Sequence, residues 1–442
     1  MNAAGRARMS FGTAVLAFAV ALSAAVRGQV PAPFPGTLDD HPAIRYSDRT
    51  PSDPVARLND ELIAGRLALT PDSKTGYLVP VLEALDIPVQ SQLLVFSKTG
   101  VQRDHTGPAN PRALYYNGSV VVAYIPGAEA LEIASHDPQL GVVFYVIPQA
   151  APAGTARFAR RTTCLSCHLS ASTLEVPGFL DRSNMVGEDG QVMPALGSFT
   201  VNHQTPHTER WGGWFVTGNA TAPPYGPLGH LGNITVTSHP TSGPVIMSDQ
   251  VLIQWLNRPL EHDRYLSSES DLAALMTFDH QAYGLNLITR LHYEARIAAA
   301  ESRPVLSTPE VDQRVRELAE YMLFVGEAQL AFEVTPRKGF AEALAGRAPK
   351  DRRGRSLAEM DLRTRLLKYS CSYLVYSDAF SALPAEVKHA VYRQMFAILG
   401  DASPRYAHLS LADRRDIADI LRDTVRDLPP DLLSGSRTVV PQ

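Results

Sequence analysis

The chain reads as an α+β protein, with a β-rich N-terminal region, a loop-rich centre and a mainly α-helical C-terminal half. Three observations predict this order. Residues 90–150 hold short runs rich in β-branched and aromatic residues: QSQLLVFSK, RALYYNGSVVVAYIPG, ALEIASHD and GVVFYVIPQA. The YNGS between two of them reads as a hairpin turn, so a mostly antiparallel β region is expected. Residues 151–245 are rich in Gly, Pro, Thr and His and lack long periodic runs, whereas from about 248 apolar residues recur at helical spacing.

The elements follow in order. DPVARLNDELIAGR and YLVPVLEALDI, within residues 54–86, are helical and amphipathic in parts. The β runs come next, then the irregular centre. The C-terminal half offers DQVLIQWLNRPL, the long SSESDLAALMTFDHQAYGLNLITRLHYEARIAAA, VDQRVRELAEYMLFVGEAQ, LPAEVKHAVYRQMFAILG and LADRRDIADILRDTVRDL as helices. RKGFAEALAGRAPKDRRGRSLAEMD is basic and expected as an exposed loop. No repeat of 30–50 residues is present, which argues against a solenoid.

The N-terminus has the layout of an export signal. MNAAGRARM carries two arginines and no acid, SFGTAVLAFAVALSAAV is apolar, and Ala24, Ala25 and Gly28 offer small residues for cleavage. An uncleaved anchor is the alternative, although the run is short for a full span. The expected divisions are 1–28 signal peptide, 29–150 N-terminal α+β region, 151–245 a segment built around a site, and 246–442 a helical region completing that site. Removing 1–28 takes Lys+Arg from 41 to 38 against 45 acids, a net charge of −7. A chain of this charge is not expected to bind nucleic acid, and no stable membrane span is expected after cleavage.

The chemistry concentrates in RTTCLSCHLSASTLEVPGF. It holds two of the three cysteines, Cys164 and Cys167, followed directly by His168. C-x-x-C-H is the attachment pattern of c-type haem. Two thiols three residues apart reach the two vinyl-derived positions of one porphyrin, and the next histidine approaches the iron as proximal ligand. Attachment occurs outside the cytoplasm, so motif and signal support each other. One covalent haem c with its iron is therefore the expected cofactor. Two alternatives stand beside it. A thioredoxin-like dithiol needs a strand before the motif, and AGTARFARRTT does not read as one. A zinc site needs further ligands, which His203, His207, His230 or His239 would have to supply. Cys371 has no partner at either spacing and reads as a buried, inert thiol.

The other face of the iron decides between carrier and enzyme. Met193, in VMPALG, is one candidate ligand and Met185 a weaker one. His203, beside Arg210, Trp211 and Trp214 in NHQTPHTERWGGWFVTG, is a candidate distal group, with His207 four residues on. His230 sits among glycines in YGPLGHLGN, where backbone approaches a flat ligand closely. His280 falls on the apolar stripe Leu272, Met276, His280, Tyr283, Leu287 of a helix, with Asp279 turned about 100 degrees away. It is a candidate iron ligand or a core histidine. Trp211 and Trp214 are expected either to wall the haem pocket or to pack in the core. Arg182, Arg210 and Arg161 are candidate partners for haem propionates.

These phrases, with HPAIRYSDRTPSDPVARL, QSQLLVFSKTGVQ, TTCLSCH, HLGN, LMTFDHQAYGLNLITR and APKDRRGRSLAEMDLRTRLLKYSCSYLVYS, carry a resemblance over most of the mature chain. The sequence resembles a widespread group of exported bacterial proteins labelled cytochrome c domain-containing, whose members carry one C-x-x-C-H. The resemblance implies haem on Cys164, Cys167 and His168, and it places His203, His230 and His280 in shared phrases. No settled activity comes with it. One departure is DHQAYGLN, where the group often has EHQ with a polar continuation; it keeps His280 and changes its surroundings. The chain is far longer than a minimal class I cytochrome c, and that fold is not expected. The functional expectation is a periplasmic, or otherwise exported, monohaem redox protein passing electrons to or from a partner. The alternatives are a peroxidase-like or oxidative haem enzyme, with His203 or His230 and Arg210 acting on a small substrate, and a non-catalytic haem-containing binding protein.

Overall fold

A computed structural model describes residues 37–187, 189–220, 228–231, 262–330, 333–336 and 339–433. The signal segment and the helix expected at DQVLIQWLNRPL lie outside the described residues. Helices α1 (Pro54–Ile63) and α2 (Leu78–Ala84) come first. Asp53 caps α1, its carboxylate accepting from the Val55 and Ala56 amides, with Pro54 at the first helical position.

One antiparallel sheet organises the molecule. It contains β1 (Leu93–Val95), β2 (Arg112–Tyr116), β3 (Val120–Tyr124), β4 (Ala130–Asp137), β5 (Gly141–Pro148) and β6 (Ala159–Arg160) in spatial order. A small pair, β7 (Arg182–Asn184) and β8 (Ser198–Thr200), stands apart. Strands β9 (Trp214–Ala220) and β10 (Leu228–Leu231) then extend the sheet from β1, and the short β11 (Val334–Thr335) pairs with β9. The expected hairpin is present: Asn117 accepts the Ser119 and Val120 amides on its side chain and sets the β2–β3 register of Tyr116 opposite Val121.

Alternation along the strands divides two cores. Ala113, Tyr115, Val122 and Ile133 face α1 and α2. Leu114, Tyr116, Val121 and Phe144 face the helical half. That half follows the one-turn α3 (Leu165–His168). It comprises α4 (Leu272–Ala300), α5 (Pro309–Met322), α6 (Phe340–Arg347), the short α7 (Asp378–Ser381), α8 (Ala385–Gly400), α9 (Leu411–Thr424) and the short α10 (Pro430–Leu433).

Helix α4 lies across one end of the sheet. Tyr116 Oη donates to Ala274 O at 2.6 Å, Gln281 Nε2 to Asn117 O at 2.7 Å, and Tyr293 Oη to Leu140 O at 2.7 Å. Of its 29 residues 24 are buried, so the expected single stripe is a helix enclosed on all sides, and Asp279 is as deeply buried as His280. Close approach explains Gly284: a Cβ there would stand 2.5 Å from Leu374 Cδ1 and 3.1 Å from Tyr321 Cε1. The segment expected as an exposed basic loop also differs. It contains α6, and Arg355 turns inward to pair with buried Asp351 at 2.7 Å and with Asp416 on α9. Acids distant in sequence draw those basic residues onto the helical half. Among the described residues no helix is long and apolar enough to cross a membrane.

Candidate functional site

The C-x-x-C-H motif forms one turn of helix. The Cys167 and His168 amides both donate to Cys164 O, at 3.2 and 3.0 Å. Residues three and four apart share a helix face, so one turn presents both thiols and the imidazole together. Cys164 is half-buried and Cys167 exposed, and neither is in a disulfide. Burial, then the nearby Glu132, pushes the Cys164 thiol up from its ordinary pKa.

His168 is held from behind. Its Nδ1 lies 2.9 Å from Gly178 O. A carbonyl only accepts, so Nδ1 carries the proton and Nε2 presents the lone pair. The described residues give Nε2 no partner. Phe144 packs on the ring with centroids 4.7 Å apart. Burial, then the charges of Arg112 and Arg182, lowers the imidazole pKa to about 4 against the opposing pull of the Gly178 carbonyl. At neutral pH the ring is therefore uncharged, with a lone pair on Nε2.

The Gly178 carbonyl is itself fixed. Asn286 on α4 accepts the Phe179 amide on Oδ1 at 2.9 Å and donates Nδ2 to Phe179 O at 2.8 Å. The Gly178 amide returns to His168 O at 3.0 Å. A Cβ on Gly178 would meet Asn286 Oδ1 at 2.5 Å, so glycine is what lets the strand lie this close to the helix. Three elements thus fix the imidazole: α3, the 177–179 segment and α4.

Beside the turn the sheet face changes character. Elsewhere that face carries Tyr116, Val121 and Trp214. Here it offers the small Ala123 and Ala134, both half-exposed, with Glu132 cross-strand from Ala123 and Phe144 from Ala134. Arg112, at the head of β2, borders the same face. Its Nη atoms donate to Thr99 O and Thr99 Oγ1, both at 3.0 Å, and its buried Nε has no partner. Among the described residues it makes no ion pair. Arg112 is half-buried, and Glu132 on β4 is near enough to act on its charge without forming an ion pair, so a further anion would still be favoured there. Arg182 is exposed and bonds Ser172 Oγ at 2.9 Å.

His203, Arg210, Trp211 and His280 collect in a second, enclosed cluster. His203 Nδ1 and His280 Nδ1 are 2.7 Å apart, and His280 Nε2 is 2.7 Å from Ser372 Oγ. Both nitrogens of His280 are thus engaged, while His203 Nε2 is buried without a partner. Burial drives the His280 pKa to about 3 and that of His203 well down, with His280 adding to the latter. Phe324 stacks on both rings at 4.6 and 4.5 Å. Arg210 donates to Thr205 O and His203 O, each at 2.7 Å, and pairs with Asp279 at 3.3 Å. Trp211 Nε1 donates to the same carboxylate at 3.3 Å. Asp181 adjoins Asp279, and burial, then that neighbour, pushes its pKa well up, so Asp181 keeps its proton and Asp279 carries the charge that Arg210 balances.

No family model matches the chain, and neither do any curated protein or solved structure.

The fold brings Cys164, Cys167 and His168 together and gathers His203, Arg210, Trp211 and His280 elsewhere. Trp214 lies between them, its Nε1 donating to Arg182 O at 2.9 Å. The backbone of His230 pairs with Val216 in β10, and its side chain, like the whole of His239, lies outside the described residues. Met193 precedes a 3-10 turn and donates its amide to Met185 O. Arg161 is exposed. Among the described residues no three His, Cys, Asp or Glu side chains group to hold a metal, and His203, which the zinc alternative would call to the cysteines, faces His280. Cys371 is fully buried, as its apolar sequence context suggests. Sequence reasoning did not single out Arg112, Phe144, Gly178 or Asp181. Nothing local marks them, because their roles come from strand register and from the return of the chain after the motif. Asn286, on α4, has a direct part in the site through its two bonds to Phe179.

Proposed function

We propose that this chain is an exported monohaem c-type redox protein whose main role is to pass electrons to or from a partner. The observation that carries the reading is His168, fixed through Nδ1 to Gly178 O with Nε2 uncommitted, on the same helical turn as two free thiols. A metal-bound histidine normally has its other nitrogen anchored in this way.

The residues present fit the group. Cys164 and Cys167 would hold haem by thioether bonds, and His168 Nε2 would ligate its iron. Ala123 and Ala134 leave room against the sheet, and Phe144 orients the imidazole. Arg112 and Arg182 suit the propionates, because a guanidinium matches a carboxylate in charge and shape. Bound haem would supply a one-electron couple. The chain's part is to fix the proximal ring, to limit water at it and to set the local charge. Gly178 O raises the basicity of the ligating nitrogen by sharing the Nδ1 proton.

The engagement of Arg210 and His203 favours the carrier over the enzyme. Arg210 and His203 are each 2% exposed and bonded to core partners, so neither stands ready to move a proton on a substrate. The reading is tested by expressing the chain with a haem-attachment system and recording spectra in both redox states. A low-spin iron indifferent to cyanide, carbon monoxide and peroxide is expected. Rapid reaction with peroxide would move the assignment to the enzyme.

A further inference from the structure

A cavity of about 290 Å³ lies on the other flank of α4 from the attachment turn. Gln281 and Leu285 face it, whereas Asn286 faces Phe179. Its volume is about twice that of a ~150 Å³ cavity able to hold benzene. Four aromatic rings line it: Tyr116 and Phe340, with centroids 6.4 Å apart, and Tyr373 and Tyr376 from the 3-10 turn Tyr373–Tyr376.

The polar atoms on these walls have mostly spent their protons. Tyr373 Oη donates to Gln281 Oε1 at 3.2 Å, and Gln281 Nε2 donates to Asn117 O. Thr424 Oγ1 donates to Ile420 O, so Tyr376 Oη, 2.7 Å away, donates to Thr424. Ser377 Oγ donates to Leu374 O at 2.7 Å. Thr289 Oγ1 donates to Leu285 O, so it receives the His136 Nε2 proton at 2.9 Å and leaves His136 Nδ1 a lone pair. What remains toward a ligand is acceptor capacity, joined by the exposed carboxylate of Asp378. Three donors qualify this, the first being the second hydrogen of Gln281 Nε2. The Ser119 hydroxyl turns either way, and Arg347, at the rim, is already paired with Asp86 at 3.0 Å.

Aromatic faces, lone pairs and one carboxylate together select a cation that carries hydrogen-bond donors. We infer that this cavity binds a small organic ammonium, a primary or secondary amine on an apolar body about the size of one ring with a short arm. The site is independent of the haem reading, since none of its residues touches the C-x-x-C-H turn.

The test uses the purified mature chain and three probes of one shape: 2-phenylethylammonium, 2-phenylethanol and 3-phenylpropionate. Binding is read by calorimetry and by the shift in Tm. The ammonium should bind at least about tenfold more tightly than the alcohol, with the carboxylate weakest. Asp378→Asn, at an exposed position that leaves the core intact, should weaken ammonium binding about fivefold, and Phe340→Leu should weaken it further while alcohol binding changes less. Equal binding of all three probes, tighter binding of the carboxylate, no binding of the ammonium at 10 mM (roughly the weak limit for a specific site), or an unchanged affinity in Asp378→Asn would each overturn the inference.

Discussion

His168 Nδ1 and Gly178 O stand 2.9 Å apart, and this one bond fixes both the tautomer and the aim of the imidazole. Ten residues of chain return from His168 to make it, and α4 holds the returning strand in place through Asn286.

Asn286→Leu removes both bonds to Phe179 and leaves its buried amide and carbonyl unpaired. Each orphaned group costs about 1–3 kcal/mol, so the loss in unfolding free energy should be about 2–5 kcal/mol. Chemical denaturation of the apoprotein measures it. In the haem-loaded protein the midpoint potential should shift, because the histidine anchor loosens.

Gly178→Ala tests the same contact by steric means. The added methyl would stand 2.5 Å from Asn286 Oδ1. A cost of about 1–3 kcal/mol is expected from overpacking. Pairing it with Asn286→Ala should recover part of the loss, and a double-mutant cycle reads the coupling.

Arg112→Met separates the apoprotein from the loaded one. Arg112 is half-buried, its Nε has no partner, and Glu132 is the carboxylate whose charge reaches it. Removing it should change apoprotein stability by no more than about 1 kcal/mol in either direction, since the lost Thr99 bonds offset the relieved burial of charge. In the haem-loaded protein the same change should lower the midpoint potential by tens of millivolts, roughly what one charge near 10 Å supplies at an effective dielectric of 20. Equal destabilisation in both forms would assign Arg112 a purely structural role.

His280→Ala should leave the haem spectrum and spin state untouched. Both ring nitrogens serve His203 and Ser372. The variant should instead lose about 2–4 kcal/mol of stability, from a cavity and an unpaired buried partner. An altered spin state would return His280 to the iron.

Acid should destabilise the apoprotein from an early point. Burial lowers His136, His168 and His292 to about 4 and His280 to about 3, each below the ordinary 6.5. A base whose folded pKa is depressed takes up its proton more readily when unfolded. Its contribution is therefore full above 6.5 and declines as pH falls toward 4, by up to about 1.4 kcal/mol per proton per pH unit. Asp181 works in the opposite sense, because its raised pKa favours the folded state at low pH and that contribution fades as pH rises. The denaturation midpoint measured from pH 7 to pH 4 should fall: with His203, His207 and His408 also depressed, seven histidines among the described residues outnumber the five raised carboxyls, Asp39, Asp53, Asp181, Asp279 and Glu327.

The strands from Leu93 to Pro148, the YNGS hairpin and four of the five expected C-terminal helices were legible from short-range pattern alone, and the fifth falls outside the described residues. The C-x-x-C-H turn was legible because its chemistry is local. The full burial of α4 was not, since Asp279, Asn286 and Thr289 interrupt the apolar pattern and their partners Arg210, Phe179 and His136 lie far away in the chain. Arg112 was invisible for the same reason: a lone arginine at a strand head acquires meaning only when register sets it beside His168. His203 and His280 were read as candidates for the far face of the iron, but sequence spacing does not say that they face each other.

The central claim is covalent haem on Cys164 and Cys167. The most direct measurement is haem staining of the denatured chain, with a pyridine haemochrome assay, after expression with a haem-attachment system. The account predicts one haem per chain surviving denaturation and acid extraction, and none in Cys164→Ala/Cys167→Ala. Haem that extracts freely, or a wild-type chain that takes up none, would contradict it.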